Sequence, residues 1–214
     1  RGIIFHDGGY ILQTAERLVK GEIIYKDFDF VYTPLSVYIT AILFKLFGQN
    51  VLVERIFSMF LSLIGVGSVF YISYWISRNF FISFIPAFIF LWWGPSHINF
   101  LSPVMLAIHL SLLTASLCIH GERTRNKRYF LLAGITTALT VLSKQNFGIA
   151  LCITSFAFFY FSNQKEKISQ LTRYFTGTIS VFVIFFLYFI FTKSFVPFFH
   201  NMYFYTFQKI LLGN

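Results

Sequence analysis

The sequence predicts an all-α fold: a polytopic integral membrane helical bundle of about six spans, with extracytoplasmic juxtamembrane helices. The 214 residues are 57% hydrophobic and only 12% charged, about half the charge of an ordinary soluble domain. Apolar runs long enough to cross or nearly cross a bilayer recur along the chain, so a lipid bilayer is its expected surrounding. Its 17 Lys and Arg against 8 Asp and Glu give a net charge of +9, and the basic residues sit in short gaps between those runs. That placement is a topology signal and not a phosphate groove, so no nucleic acid partner is expected. A cytosolic enzyme and a disordered or collagen-like chain are excluded. Cys118 and Cys152 both fall inside apolar runs, which leaves no disulfide framework or CxxC metal pattern.

Residues 1–52 form the first region, an extracytoplasmic loop with juxtamembrane helices. Five of the eight carboxylates lie within its first 32 residues: Asp7, Glu16, Glu22, Asp27 and Asp29. A helix is expected over 9–20, with Ile11, Leu12, Ala15, Leu18 and Val19 on one face. A Glu16–Lys20 pair supports it, and Gly21 is a C-terminal stop. A stripe that short suits a helix lying on the membrane surface. The next apolar stretch, 34–48, carries Lys45 and is short for a span, so it reads as a second juxtamembrane helix.

The transmembrane bundle occupies 53–193, with spans near 53–77, 80–95, 101–119, 129–143, 147–162 and 174–193. Arg78 in the 78–79 turn, Arg123, Arg125, Lys127 and Arg128 in 120–128, and Lys165, Lys167 and Arg173 in 163–173 all fall on one side of a six-span layout. The positive-inside rule makes that side cytoplasmic. The opposite side then receives residues 1–52, the 94–100 loop, the Lys144-Gln145-Asn146 break and the 194–214 tail, the start of a further extracytoplasmic loop. The chain reads as a piece of a larger multi-pass protein of a bacterial or archaeal cell membrane, its active face outside the cytoplasm.

Several motifs follow one another in the acidic region: His6-Asp7-Gly8-Gly9-Tyr10, Ala15-Glu16-Arg17-Leu18, Tyr25-Lys26-Asp27-Phe28 and Tyr32-Thr33-Pro34-Leu35. Leu46-Phe47-Gly48 and Glu54-Arg55 come next. This order resembles the first extracytoplasmic loop of GT-C fold membrane glycosyltransferases of the family-39 type, which include protein O-mannosyltransferases and the lipid A aminoarabinose transferase. Gly134 to Leu142 followed by Ser143-Lys144-Gln145 resembles a later segment of the same family. The resemblance implies transfer of a sugar, with inversion, from a polyprenyl-phosphate donor to an extracytoplasmic lipid, glycan or protein acceptor.

Asp7 matches the family's catalytic aspartate, a general base that takes the proton of the attacking hydroxyl. Its plainer role would be to N-cap the following helix. Lys144 matches a lysine placed to bind the carrier phosphate, with Gln145 as a companion donor; the plainer reading is a lysine snorkelling to the headgroups. His6, Tyr10 and Tyr32 join them as candidate substrate- or carrier-binding residues. Gly8 stands where the family often has a second acidic residue, and Tyr32-Thr33 where some members have a Glu-Lys pair; Lys45 or Arg55 could substitute. Asp27 and Asp29 read chiefly as a solvated turn. The stretch after His97 carries no carboxylate, so no cofactor is assigned and a divalent metal has no support. His109, in mid-span, reads as an interhelical hydrogen-bonding residue. The rival function classes are a transporter or flippase subunit and a non-catalytic membrane scaffold. Ion-coupled transporters usually carry repeated halves and mid-membrane carboxylates, and neither is visible.

Overall fold

The structure is a computed structural model that describes residues 7–94, 100–162 and 166–205. These form helices α1 (Asp7–Val19), α2 (Leu35–Phe47), α3 (Val51–Ser77), α4 (Phe80–Trp93), α5 (Pro103–Thr124), α6 (Lys127–Ser143), α7 (Gln145–Phe161), α8 (Lys167–Phe191) and the short α9 (Phe195–Phe199), followed by a π-helical turn at His200–Tyr205. No strand occurs among the described residues; the one β contact is an isolated bridge between Ile24 and Phe28. Among the described residues three helices, α3, α5 and α8, are long and apolar enough to cross a membrane. At 1.5 Å per residue, α3 extends about 40 Å and α4 only about 21 Å.

Two boundaries depart from the sequence reading. α5 continues to Thr124 and α8 starts at Lys167, so most of what was expected as basic loop is helix. Lysine and arginine are good helix formers, and an apolar run marks the part of a helix matched to lipid, not its whole length. The tail also differs, since residues 195–205 are helical where a loop start was expected.

The first helix begins at Asp7, two residues earlier than expected, and ends at Val19, two residues before Gly21, whose φ of +94° suits glycine. The Glu16–Lys20 pair is not among the ion pairs of the described residues. Arg17 instead reaches Glu22 at 2.5 Å and lies 4.0 Å from the centre of the Phe28 ring. Nor is the apolar stripe of α1 left for lipid. Ile11 and Ala15 are fully buried with Ile24, Tyr25, Phe30, Val37 and Phe44, so α2 and the 24–32 turn cover it. Asp27 closes that turn by accepting the Ile23 amide at 2.7 Å.

In the bundle, α6 lies between α5 and α8 with α7 folded back along it. Apart from Phe130 and Leu142, its buried residues are small or hydroxylated. A Cβ on Gly134 would overlap the Tyr174 carbonyl, and one on Gly177 the Leu131 carbonyl, so the two glycines let α6 and α8 meet backbone to backbone. Hydrogen bonds stitch the contacts: Thr114 to Thr136 at 2.7 Å, Tyr174 to Thr137 at 2.9 Å, and Thr178 to the Gly134 carbonyl at 3.1 Å. His109 bonds the Met105 carbonyl of its own helix, at 2.7 Å. The expected interhelical bond is replaced by packing, because Gly65 of α3 leaves room for the imidazole ring.

Helices α3 to α8 alternate in direction. At one end Tyr71 meets His120, Glu122 meets Ser162, and Lys127 pairs with Glu166 at 2.6 Å. Seven of the fourteen described Lys and Arg lie there, with only two of the eight carboxylates, Glu122 and Glu166. At the other end are α1, α2, the start of α5, the Lys144 break and α9. The candidate chemistry gathers at this second end.

Candidate functional site

Lys144 is the whole connection between α6 and α7. It adopts an extended backbone (φ −149°, ψ 105°) that ends one helix and begins the next. The turn is tight because Gly148 lies against Val141, where a Cβ would not fit. Ser143 donates to the Pro103 carbonyl at 2.7 Å, which ties the break to the start of α5.

The Lys144 ammonium lies 5.1 Å from the centre of the Tyr32 ring, a cation–π distance. Tyr32 is held from behind: Tyr25 donates its hydroxyl to the Tyr32 carbonyl at 2.6 Å. Tyr25 has φ of +67°, a strained setting for a bulky residue. Its ring is buried against Phe30, Phe189 and Phe198. Tyr10 meets Tyr32 edge-on with ring centres 6.5 Å apart and stacks on Phe30 at 5.4 Å. Burial holds both the Tyr10 and Tyr25 phenols above their usual range, so both stay neutral donors.

Beside this corner an apolar groove of about 400 Å³ runs between α2, α6 and α8. Tyr38, Ile42, Leu142, Ile184, Phe185 and Tyr188 line much of it, and Leu142 is two residues from Lys144. The groove offers carbon surface for a hydrocarbon chain, and Lys144 a positive charge near one of its walls.

Of the residues singled out from the sequence, Tyr10, Tyr32 and Lys144 are therefore brought together, and Gln145 follows as the first residue of α7. The Asp7 backbone begins α1 at the same end. Gly8 is buried, and a Cβ built on it would stand 3.4 Å from the Phe100 ring. That contact leaves room for a methyl group. His6 and His97 lie outside the described residues. Lys45 is exposed at the end of α2, away from water-excluded contacts, and Arg55 is half-buried with its Nε lacking a partner among the described residues. Asp29 is exposed. Among the described residues no three His, Cys, Asp or Glu side chains are grouped as a metal site.

Two further residues, Tyr25 and Glu54, shape this end of the bundle. Tyr25 left no local signal, since a left-handed backbone at a non-glycine residue cannot be read from composition. Glu54 had one: it is the only carboxylate within an apolar run. It is 1% exposed and accepts the Leu101 amide through Oε1. No family model, curated protein or solved structure matches the chain.

Proposed function

We propose that the protein is an inverting glycosyltransferase that moves a sugar from a polyprenyl-phosphate donor to an acceptor outside the cytoplasm. On this reading α3 to α8 each cross the membrane, the basic end faces the cytoplasm, and the end carrying α1 and Lys144 faces outward. The short α4, α6 and α7 are accommodated by local thinning and by packing against longer neighbours.

One observation carries the proposal: a lysine held over an aromatic ring at a helix break, beside an apolar groove at the end of the bundle. A lipid phosphate has that pairing of chemistries, an anion joined to a hydrocarbon chain. In the reaction the acceptor oxygen attacks the anomeric carbon and passes its proton to the Asp7 carboxylate. The bond from that carbon to the phosphate oxygen breaks on the opposite face. The negative charge left on the polyprenyl phosphate is neutralised by Lys144, with Tyr10 and Tyr32 flanking the sugar.

Membranes carrying the protein, incubated with labelled polyprenyl-phosphate sugars, are expected to yield labelled acceptor. Asp7→Asn is expected to lower transfer by roughly 100-fold or more while leaving expression intact, the scale of a lost general base. Unchanged transfer in that variant would remove Asp7 as the base, whereas absence of transfer by the unaltered protein would return the chain to the transporter or scaffold classes.

A further inference from the structure

We propose that Glu54 is a positioning residue that sets the spacing between Asp7 and Lys144, acting through residues 100–103. The inference rests on the glycosyltransferase reading for its functional consequence, though not for its geometry. Glu54 lies in the first turn of α3, where the helix N-terminus favours a carboxylate. Its Oε1 accepts the Leu101 amide, while Oε2 is buried and has no partner among the described residues. A buried carboxylate with a single donor is expensive to keep, and its one bond falls on the segment that joins both halves of the candidate site.

On one side of Leu101, the Phe100 ring supports the buried Gly8, the residue after Asp7. On the other, Ser102 caps α5 by accepting the Met105 amide at 3.0 Å. The next residue, Pro103, accepts Ser143, the residue before Lys144, at 2.7 Å. Asp7 and Lys144 are thus each one residue removed from a contact with the same four-residue segment. Glu54 fastens that segment to α3, and Leu101 itself is fully buried. A base and a carrier-phosphate ligand must keep a fixed separation across the sugar, and a misplacement of about 1 Å costs roughly 100-fold in rate.

The full chain in lipid nanodiscs would be compared by amide hydrogen exchange and by transfer kinetics. Glu54→Ala is expected to speed exchange in 8–19 and 100–106 while α6 stays protected, and to lower kcat by roughly 100-fold with KM little changed. Glu54→Gln keeps an oxygen for the Leu101 amide and is expected to restore both. Ser116→Ala, which removes a bond between the same two helices α5 and α3 at mid-length, is expected to leave kcat unaltered. If Glu54→Ala does not reach the membrane, Phe100→Ala cuts the segment from α1 without touching Glu54 and is expected to speed exchange in 8–19 alone. Unchanged exchange in 8–19 for the variants that fold, or a Gln variant as impaired as Ala, overturns the proposal. Absence of transfer in the unaltered protein would instead remove the glycosyltransferase reading, leaving the exchange data to decide the role of Glu54.

Discussion

α4 and α6 invert the arrangement of a water-soluble protein. α4 reads FFISFIPAFIFLWW and buries only Ser83 and Ala87; Phe81 and Trp93 are each 80% exposed. α6 is built around Gly134, Thr136, Thr137, Thr140 and Ser143, and all five are buried. The greasier helix is on the outside and the more polar one is inside. In water that arrangement would expose aromatic surface and bury hydroxyls at a loss. In a bilayer the lipid is as apolar as phenylalanine, so helices associate through close backbone approach and hydrogen bonds. Position in the bundle is set by side-chain size and bonding capacity, and the hydropathy of a helix says little about it.

The contrast is tested most severely at the α6–α8 crossing. Gly134→Val places carbon where the Tyr174 carbonyl lies, and is expected to destabilise the detergent-solubilised protein by about 1–3 kcal/mol through overpacking. Ile85→Ala removes as many carbons from α4 as Gly134→Val adds to α6, but from a side chain that is 60% exposed, and is expected to stay within about 0.5 kcal/mol. Thermal unfolding of the two variants side by side measures the difference. Equal losses would mean that α4 is packed against protein and that the lipid-facing assignment is wrong.

This division explains which features were legible in the sequence. The helical class, the succession of elements and the Lys144 break follow from local signals: apolar runs, the Gly21 stop and a charge interrupting hydrocarbon. The elements are completed by bonds within a few residues, as where Asn79 caps α4 by accepting the Phe81 and Ile82 amides. Partner choice is not local. Nothing around Gly134 announces Gly177 on another helix, and nothing in Tyr32-Thr33-Pro34 announces Lys144. Glu54 shows the limit most clearly: its sequence position places it near a span end, whereas its role depends on which way around α3 it points. The α1 stripe is equally amphipathic whether it meets lipid or α2, so its pattern is legible in the sequence and its neighbour, α2, is not.

Polar stitching at the same crossing should matter less than backbone fit. Tyr174→Phe removes the hydroxyl that Thr137 accepts, and Thr137 keeps its bond to the Ala133 carbonyl. The expected loss is about 0.6 kcal/mol, the mean for one such bond between membrane helices. A loss above about 2 kcal/mol would make hydrogen bonding, not glycine contact, the reason α6 is central.

The smallest effect is expected where α6 leaves the apolar region. Lys127 pairs with Glu166 at its first turn, with side chains 42% and 63% exposed. The hydrogen bond and charge of Lys127 hold the Glu166 carboxyl below its ordinary 4.5. A depressed acid favours the folded state above that ordinary value, and the contribution is lost as pH falls through the lowered one. Both groups face solvent, so screening leaves little of it. Glu166→Gln should therefore melt within error of the unaltered protein near neutral pH in physiological salt. Any difference seen at low salt should vanish as pH falls through that lowered value and the carboxyl protonates. A large, salt-insensitive drop would place this pair in an environment as dry as Gly134, extending the polar interior of the bundle to its end.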